Sequence, residues 1–236
     1  MKKTITGLFL PLLLLTTFAV HAQTAEEVVA KYIDAIGGKD LIQKVNSVYL
    51  EGSVQMMGNE SPTSVTLLNG KGYKTESEFN GQKMVQCYTD KGGWSINPMS
   101  GGNAEPMPEE LYKAGKEQID VGGALYDYAA KGSTVTLQGK EKDGYKLLLV
   151  SKDKVATTYY FDPTTWYLTK LVKKGNMMGQ EIEIVISLSD YKKTDTGYMI
   201  PYNIETNLGG QFTFTTTIKK VELNKPVDPV VFSMPK

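Results

Sequence analysis

At Val48 the apolar residues change from a helical spacing to strict alternation, and the chain keeps that period for most of its remaining length. Val48, Leu50, Gly52, Val54 and Met56 fall on one side of an extended backbone, while Tyr49, Glu51, Ser53 and Gln55 fall on the other. Similar runs follow at 64–68, 73–79, 83–88 and 93–96. They are divided by Asn69-Gly70, Asn80-Gly81 and Lys91-Gly92-Gly93, the residues that tight hairpins prefer. Seven more runs come at 134–140, 144–151, 156–161, 167–173, 181–189, 198–208 and 212–223, punctuated by Asp143-Gly144, Asp162-Pro163 and Gly209-Gly210. About twelve strands joined largely by hairpins predict a mainly β (α+β) chain with one large antiparallel sheet.

One helical segment precedes this pattern and another interrupts it. Thr24 and Glu27 form a capping box, after which Val28, Val29, Tyr32, Ile33 and Ile36 share one face until Gly37-Gly38 stops the helix. Leu41, Ile42 and Val45 suggest one further short turn. Midway along the chain, a Pro-, Gly- and Met-rich stretch from Asn97 leads into Pro108-Glu109-Glu110, a helix start with acids in its first turn. Two short helices are expected there, at 108–117 and 120–130, stopped by Gly132. A sheet this large must curl, and helices inserted mid-sequence have a place against its concave face. The expected architecture is a half-barrel with an N-terminal helix and short helices covering the concavity.

The chain carries little of the usual chemical equipment. Its single histidine, His21, lies in a secretory-signal pattern: Lys2 and Lys3, the apolar run Leu8 to Leu15 with Phe18, and Val20-His21-Ala22 as the cleavage site. Cleavage after Ala22 leaves residues 23–236 as one exported domain. That domain has no histidine and no arginine, hence neither the commonest general base and metal ligand nor the bidentate phosphate clamp. Its 24 lysines against 26 acidic residues give a charge of about −2, so no nucleic-acid partner is indicated. The apolar run is too short for a membrane anchor. Cys87, the only cysteine, alternates with Val85 and reads as a buried small residue; no disulfide can form within the chain.

Several patterns imitate catalytic sites. Ser151-Lys152-Asp153-Lys154 matches the serine-x-x-lysine motif of penicillin-recognising hydrolases, but it falls in a turn between strands where that motif requires a helix start. Glu109 and Glu110 are adjacent and serve the helix dipole. Glu181 and Glu183, with Lys170 and Lys173 across the expected hairpin, read as a solvated face. The remaining carboxylates are dispersed, and the glycine pairs lack the helix of a phosphate-binding loop. No cofactor, metal or enzymatic activity is expected. A transmembrane barrel disagrees with the helical interruption, with Lys170 and Lys173 as outward residues, and with the Pro235-Lys236 end.

The segment Ala25-Glu26-Glu27-Val28-Val29-Ala30-Lys31-Tyr32-Ile33-Asp34-Ala35-Ile36-Gly37-Gly38, continuing through Ile42-Gln43-Lys44-Val45-Asn46-Ser47, resembles the start of outer-membrane lipoprotein-sorting proteins, relatives of the lipoprotein carrier (LolA/LolB-like) superfamily. Ser189-Asp190-Tyr191, Gly197-Tyr198-Met199-Ile200-Pro201-Tyr202 and the tail from Val221 to Phe232 fit the same pattern. The resemblance implies a half-barrel with a helical lid, whose concavity receives acyl chains of a lipid or lipoprotein in the periplasm. The arginine with which known carriers hold the lid closed has no counterpart here, so that latch is not carried over.

The residues on or before the expected lid supply the candidate ligand-binding surface: Trp94, Ile96, Met99, Met107, Leu111, Tyr112, Ile119, Leu125, Tyr126 and Tyr128. Methionine adapts to flexible alkyl chains, and aromatic rings give area at small entropic cost. Met56-Met57 and Met177-Met178, near hairpin tips, are candidates for contact with an envelope protein. Three function classes follow: a periplasmic lipid or lipoprotein binder, a non-catalytic envelope scaffold whose concavity is packed shut, and, weakest, a hydrolase using Ser151.

Overall fold

The computed structural model describes residues 23–141, 144–177 and 179–235. The signal segment with His21, and also Asp143 and Met178, lie outside the described residues. Helix α1 (Ala25–Ala35) begins at the expected capping box, where Thr24 Oγ1 accepts the Glu27 amide at 3.2 Å and the Glu27 carboxylate accepts the Thr24 amide at 3.1 Å. A single turn, α2 (Lys39–Ile42), leads into the sheet.

Six strands precede the lid: β1 (Ser47–Met56), β2 (Asn59–Leu68), β3 (Gly72–Phe79), β4 (Gln82–Thr89), β5 (Gly93–Ile96) and β6 (Ala104–Pro106). Seven follow it: β7 (Thr134–Glu141), β8 (Gly144–Val150), β9 (Ala156–Phe161), β10 (Leu168–Met177), β11 (Gln180–Lys193), β12 (Met199–Leu208) and β13 (Phe212–Leu223). The sequence pattern misses β6, which is three residues long and lies in the Pro-Gly-rich stretch. It also shortens β2, because Pro62 disfavours a strand; the β2–β3 ladder starts only at Thr63, so Pro62 owes it no amide. Met57 and Gly58, both at positive φ, turn β1 into β2.

All thirteen strands form one antiparallel sheet in the order β6-β5-β4-β3-β2-β1-β13-β12-β11-β10-β9-β8-β7. Two meanders are thus joined where β1 pairs with β13, with Val48 opposite Leu223. The segment 107–133 connects one edge of the sheet to the other. It contains helix α3 (Glu109–Gly115) and a 3-10 turn (Lys116–Ile119). The helix expected at 120–130 is not formed: residues 121–132 are turns, with Gly123, Asp127 and Gly132 at positive φ. The apolar spacing of Leu125, Tyr126 and Tyr128 is compatible with a helix, but the Gly122-Gly123 pair costs about 1 kcal/mol per glycine in one, and the left-handed residues end it.

Contacts of the lid demonstrate that the sheet is rolled. Tyr112 donates its hydroxyl to the Thr89 carbonyl of β4 at 2.9 Å, and Lys173 of β10 donates to the Ala114 carbonyl at 3.2 Å. In a flat sheet β4 and β10, seven steps apart, would be separated by roughly 33 Å. Residues two apart in a chain span no more than about 7 Å, and even extended side chains do not close that gap.

The apolar face of α1 lies inside the roll. Val28, Val29, Ile33 and Ile36 pack with Leu147 and Leu149 of β8, Tyr159 and Phe161 of β9, Leu168 of β10, Ile200 of β12 and Ile218 of β13. A separate cluster joins Val85 and Cys87 of β4 and Trp94 of β5 to Phe232, which is pinned by hydrogen bonds from Trp94 Nε1 (2.7 Å) and Cys87 Sγ (3.4 Å) to its carbonyl. Burial pushes the Cys87 thiol up to about 12, so it is protonated and unreactive at neutral pH.

Candidate functional site

Helix α1 does not fill the rolled sheet completely. Two cavities of about 240 Å³ each remain, and Tyr32 borders both. The first lies beneath Val121 of the lid and is lined by inward residues of β1 and β2 (Val48, Leu50, Val65, Leu67) and of β12 and β13 (Ile200, Ile204, Ile218). These are the alternate positions that the strand pattern assigns to one face. The second lies beneath α3 and the following turns, against Leu149, Thr157, Tyr159, Leu168, Leu171, Lys173 and Ile186 of β8–β11. Each is somewhat smaller than the 300 to 1,000 Å³ usual for small-molecule sites. Both are lined mainly by apolar surface.

Polar groups hold the lid over this space. Tyr198 donates its hydroxyl to the Val121 carbonyl at 2.9 Å, and Gly70 donates its amide to the Ile119 carbonyl at 2.8 Å. Within the lid, Lys131 bridges Asp120 at 2.7 Å and Glu117 at 3.9 Å and donates to the Gly123 carbonyl. Lys116 pairs with Asp153 in the β8–β9 turn and holds that carboxyl below the ordinary range. Gly115 lies against the Tyr88 ring so closely that an added Cβ would come within 2.3 Å of it, which makes glycine necessary where the lid crosses β4. Burial raises the phenols of Tyr159 and Tyr198 to about 12, so they are neutral donors at physiological pH.

Of the ten candidate residues named from the sequence, Leu125, 3 % exposed, lines the second cavity. Tyr126 and Tyr128 pack, partly buried, against the main core. Trp94 belongs to the separate Phe232 cluster, with Ile96 packed against it, and Met107 is buried beside Gly93. Tyr112 bonds to Thr89, and Ile119 is half-buried in the 3-10 turn. Met99 and Leu111, 74 % and 45 % exposed, face solvent.

Lys173 requires a correction. Its reading as part of a solvated face fails because residues three apart on a strand point to opposite sides, and Lys170 is the outward one, its ammonium 4.0 Å from the Tyr160 ring. Lys173 shares the inward face with Leu171 and reaches the second cavity. Most of the cavity wall comes from such inward strand positions. Their signal was parity along each strand, not the methionine and tyrosine enrichment near the lid.

Ser151 Oγ accepts the Val155 amide at 3.2 Å and thereby organises the β8–β9 turn. Among the described residues no group of three or more His, Cys, Asp or Glu side chains is placed to hold a metal ion, and no helix is long and apolar enough to cross a membrane.

No protein-family model matches the sequence, and no curated protein matches it. Solved structures do match the fold. A LolA-superfamily protein from Nitrosomonas europaea is similar with a TM-score of 0.58 at 14% identity, over 91% of this chain and 99% of that one. An outer membrane lipoprotein-sorting domain from Vibrio parahaemolyticus gives 0.57 at 10% identity, over 87% and 94%. A DUF1329-family protein from Desulfovibrio piger gives 0.52 at 11% identity, over 89% and 97%. At these identities the likeness concerns architecture: the chain has the fold of the LolA superfamily and of lipoprotein-sorting domains.

Proposed function

We propose that this chain is an exported, periplasmic, non-catalytic binding protein for the acyl chains of a lipid or lipoprotein, acting in the sorting of cargo toward the outer membrane. The observation that carries the reading is the pair of apolar cavities beneath the lid, both bordered by Tyr32. The similarity to a LolA-superfamily protein and to a lipoprotein-sorting domain supports it, as does the signal-like segment Met1 to Ala22. A domain without histidine or arginine, whose Ser151 hydroxyl is engaged in a turn, is poorly equipped for catalysis. One cavity alone receives a short stretch of hydrocarbon; a full acyl tail requires both, with the Tyr32 ring moving aside. Met57, 72 % exposed at the β1–β2 tip, is the proposed contact for an envelope partner.

The test is a series of monoacylglycerols of increasing length competing with a fluorescent acyl probe. Because each buried methylene contributes about 0.8 kcal/mol, affinity should rise up to about fourfold per methylene and then level off once both cavities are filled. A scaffold whose interior is closed by α1 gives no saturable binding at any length, and that outcome would refute the proposal.

A further inference from the structure

The second cavity contains one charge that the protein leaves unanswered. Its wall carries three charged side chains, and two of them are spoken for: Lys113 pairs with Glu109 at 2.6 Å, and Glu117 lies 3.9 Å from Lys131. The third, Lys173, has no carboxylate within 4 Å among the described residues, and its one protein hydrogen bond goes to the Ala114 carbonyl at 3.2 Å. The cavity that it lines also carries Leu125, Leu149, Leu168, Leu171 and Ile186, with the neutral phenol of Tyr159 and the polar Gln118, Ser151 and Thr157.

Holding an ammonium in such a place is costly unless an anion answers it. The cost is visible in the group itself, since burial alone pulls its pKa below the ordinary lysine range and no neighbouring acid pulls it back. An ammonium has three donors, and one is used on the lid. Two remain for oxygen atoms of a ligand. A leucine or methionine on β10 would line the same wall without that penalty.

Resting on the acyl-binding reading above, we infer that the second cavity selects a single-chain amphiphile with an anionic head, whose carboxylate or phosphate oxygens bind Lys173 Nζ while its tail runs along the Leu171 and Ile186 wall toward Tyr32. The cation fixes the polarity of the ligand. The head lies beneath Ala114 of the lid and the tail points inward, so binding strengthens the contact that holds α3 to β10.

The experiment compares tetradecanoate, monotetradecyl phosphate and the neutral glycerol monoester of tetradecanoic acid on the full exported chain, by displacement of a neutral acyl probe. The wild type should bind at least one anionic ligand ten or more times more tightly than the neutral one, and the better anion identifies the head group. In Lys173→Met that preference should vanish; Lys173→Arg, which keeps the cation, should retain a preference. Equal affinity for charged and neutral heads in the wild type, or a preference that persists in Lys173→Met, overturns the inference while leaving acyl binding standing. Failure of all three ligands to bind removes the acyl-binding reading, and this inference with it.

Discussion

Replacing Phe161 with alanine should lower the unfolding free energy by about 3–5 kcal/mol and the melting temperature by roughly 6–20 °C for a domain of this size. The side chain has no exposed surface. It occupies the point where α1 meets the sheet, its ring centroid 5.4 Å from that of Tyr32. It also stands opposite Tyr145 of β8 and Leu168 of β10, so both neighbouring ladders feel the loss. Thermal or urea unfolding followed by far-ultraviolet circular dichroism measures the effect. A change below about 1 kcal/mol would mean that α1 does not form the core of the concavity.

The second large effect concerns the cavities. Val65 of β2 lines the first and Ile186 of β11 lines the second. Val65→Trp and Ile186→Trp each place an indole in space that is now empty, on strands where aromatic residues are well tolerated. Excluding only two methylenes of ligand, at about 0.8 kcal/mol each, weakens binding more than tenfold. The two residues line different cavities, so the double variant should lose more than about a hundredfold. Displacement of the acyl probe reads this directly, and cooperative unfolding of each variant shows that the fold persists. Unchanged affinity in both single variants would place the acyl chain elsewhere on the protein.

What was legible in the sequence follows from the range of the interaction that produces it. Alternation and hairpin residues are local, so twelve of the thirteen strands and their antiparallel sense could be read, as could α1 from Thr24 and Glu27. The pairing of β1 with β13 joins residues such as Val48 and Leu223, and no local pattern encodes which strands meet across that distance. The lid's start was visible in Pro108-Glu109-Glu110. Its second half was not, because the turn conformations of Gly123 and Asp127 override the helical spacing of the apolar residues around them. The site was the least legible part. Methionine and tyrosine enrichment drew attention to residues near the lid, several of which pack elsewhere, whereas the cavity wall is assembled from inward positions of strands far apart in sequence. Lys173 shows the difference most clearly: its charge suggested solvent, but its parity with Leu171 places it inside.

That the hollow beneath the lid holds hydrocarbon is tested most directly by mass spectrometry of what the protein carries when purified without detergent from its native envelope. The expected result is an acyl-bearing molecule in near-stoichiometric amount in the organic extract, lost from the Val65→Trp, Ile186→Trp double variant. An extract free of acyl chains, from protein that also fails to bind added ones, would contradict it.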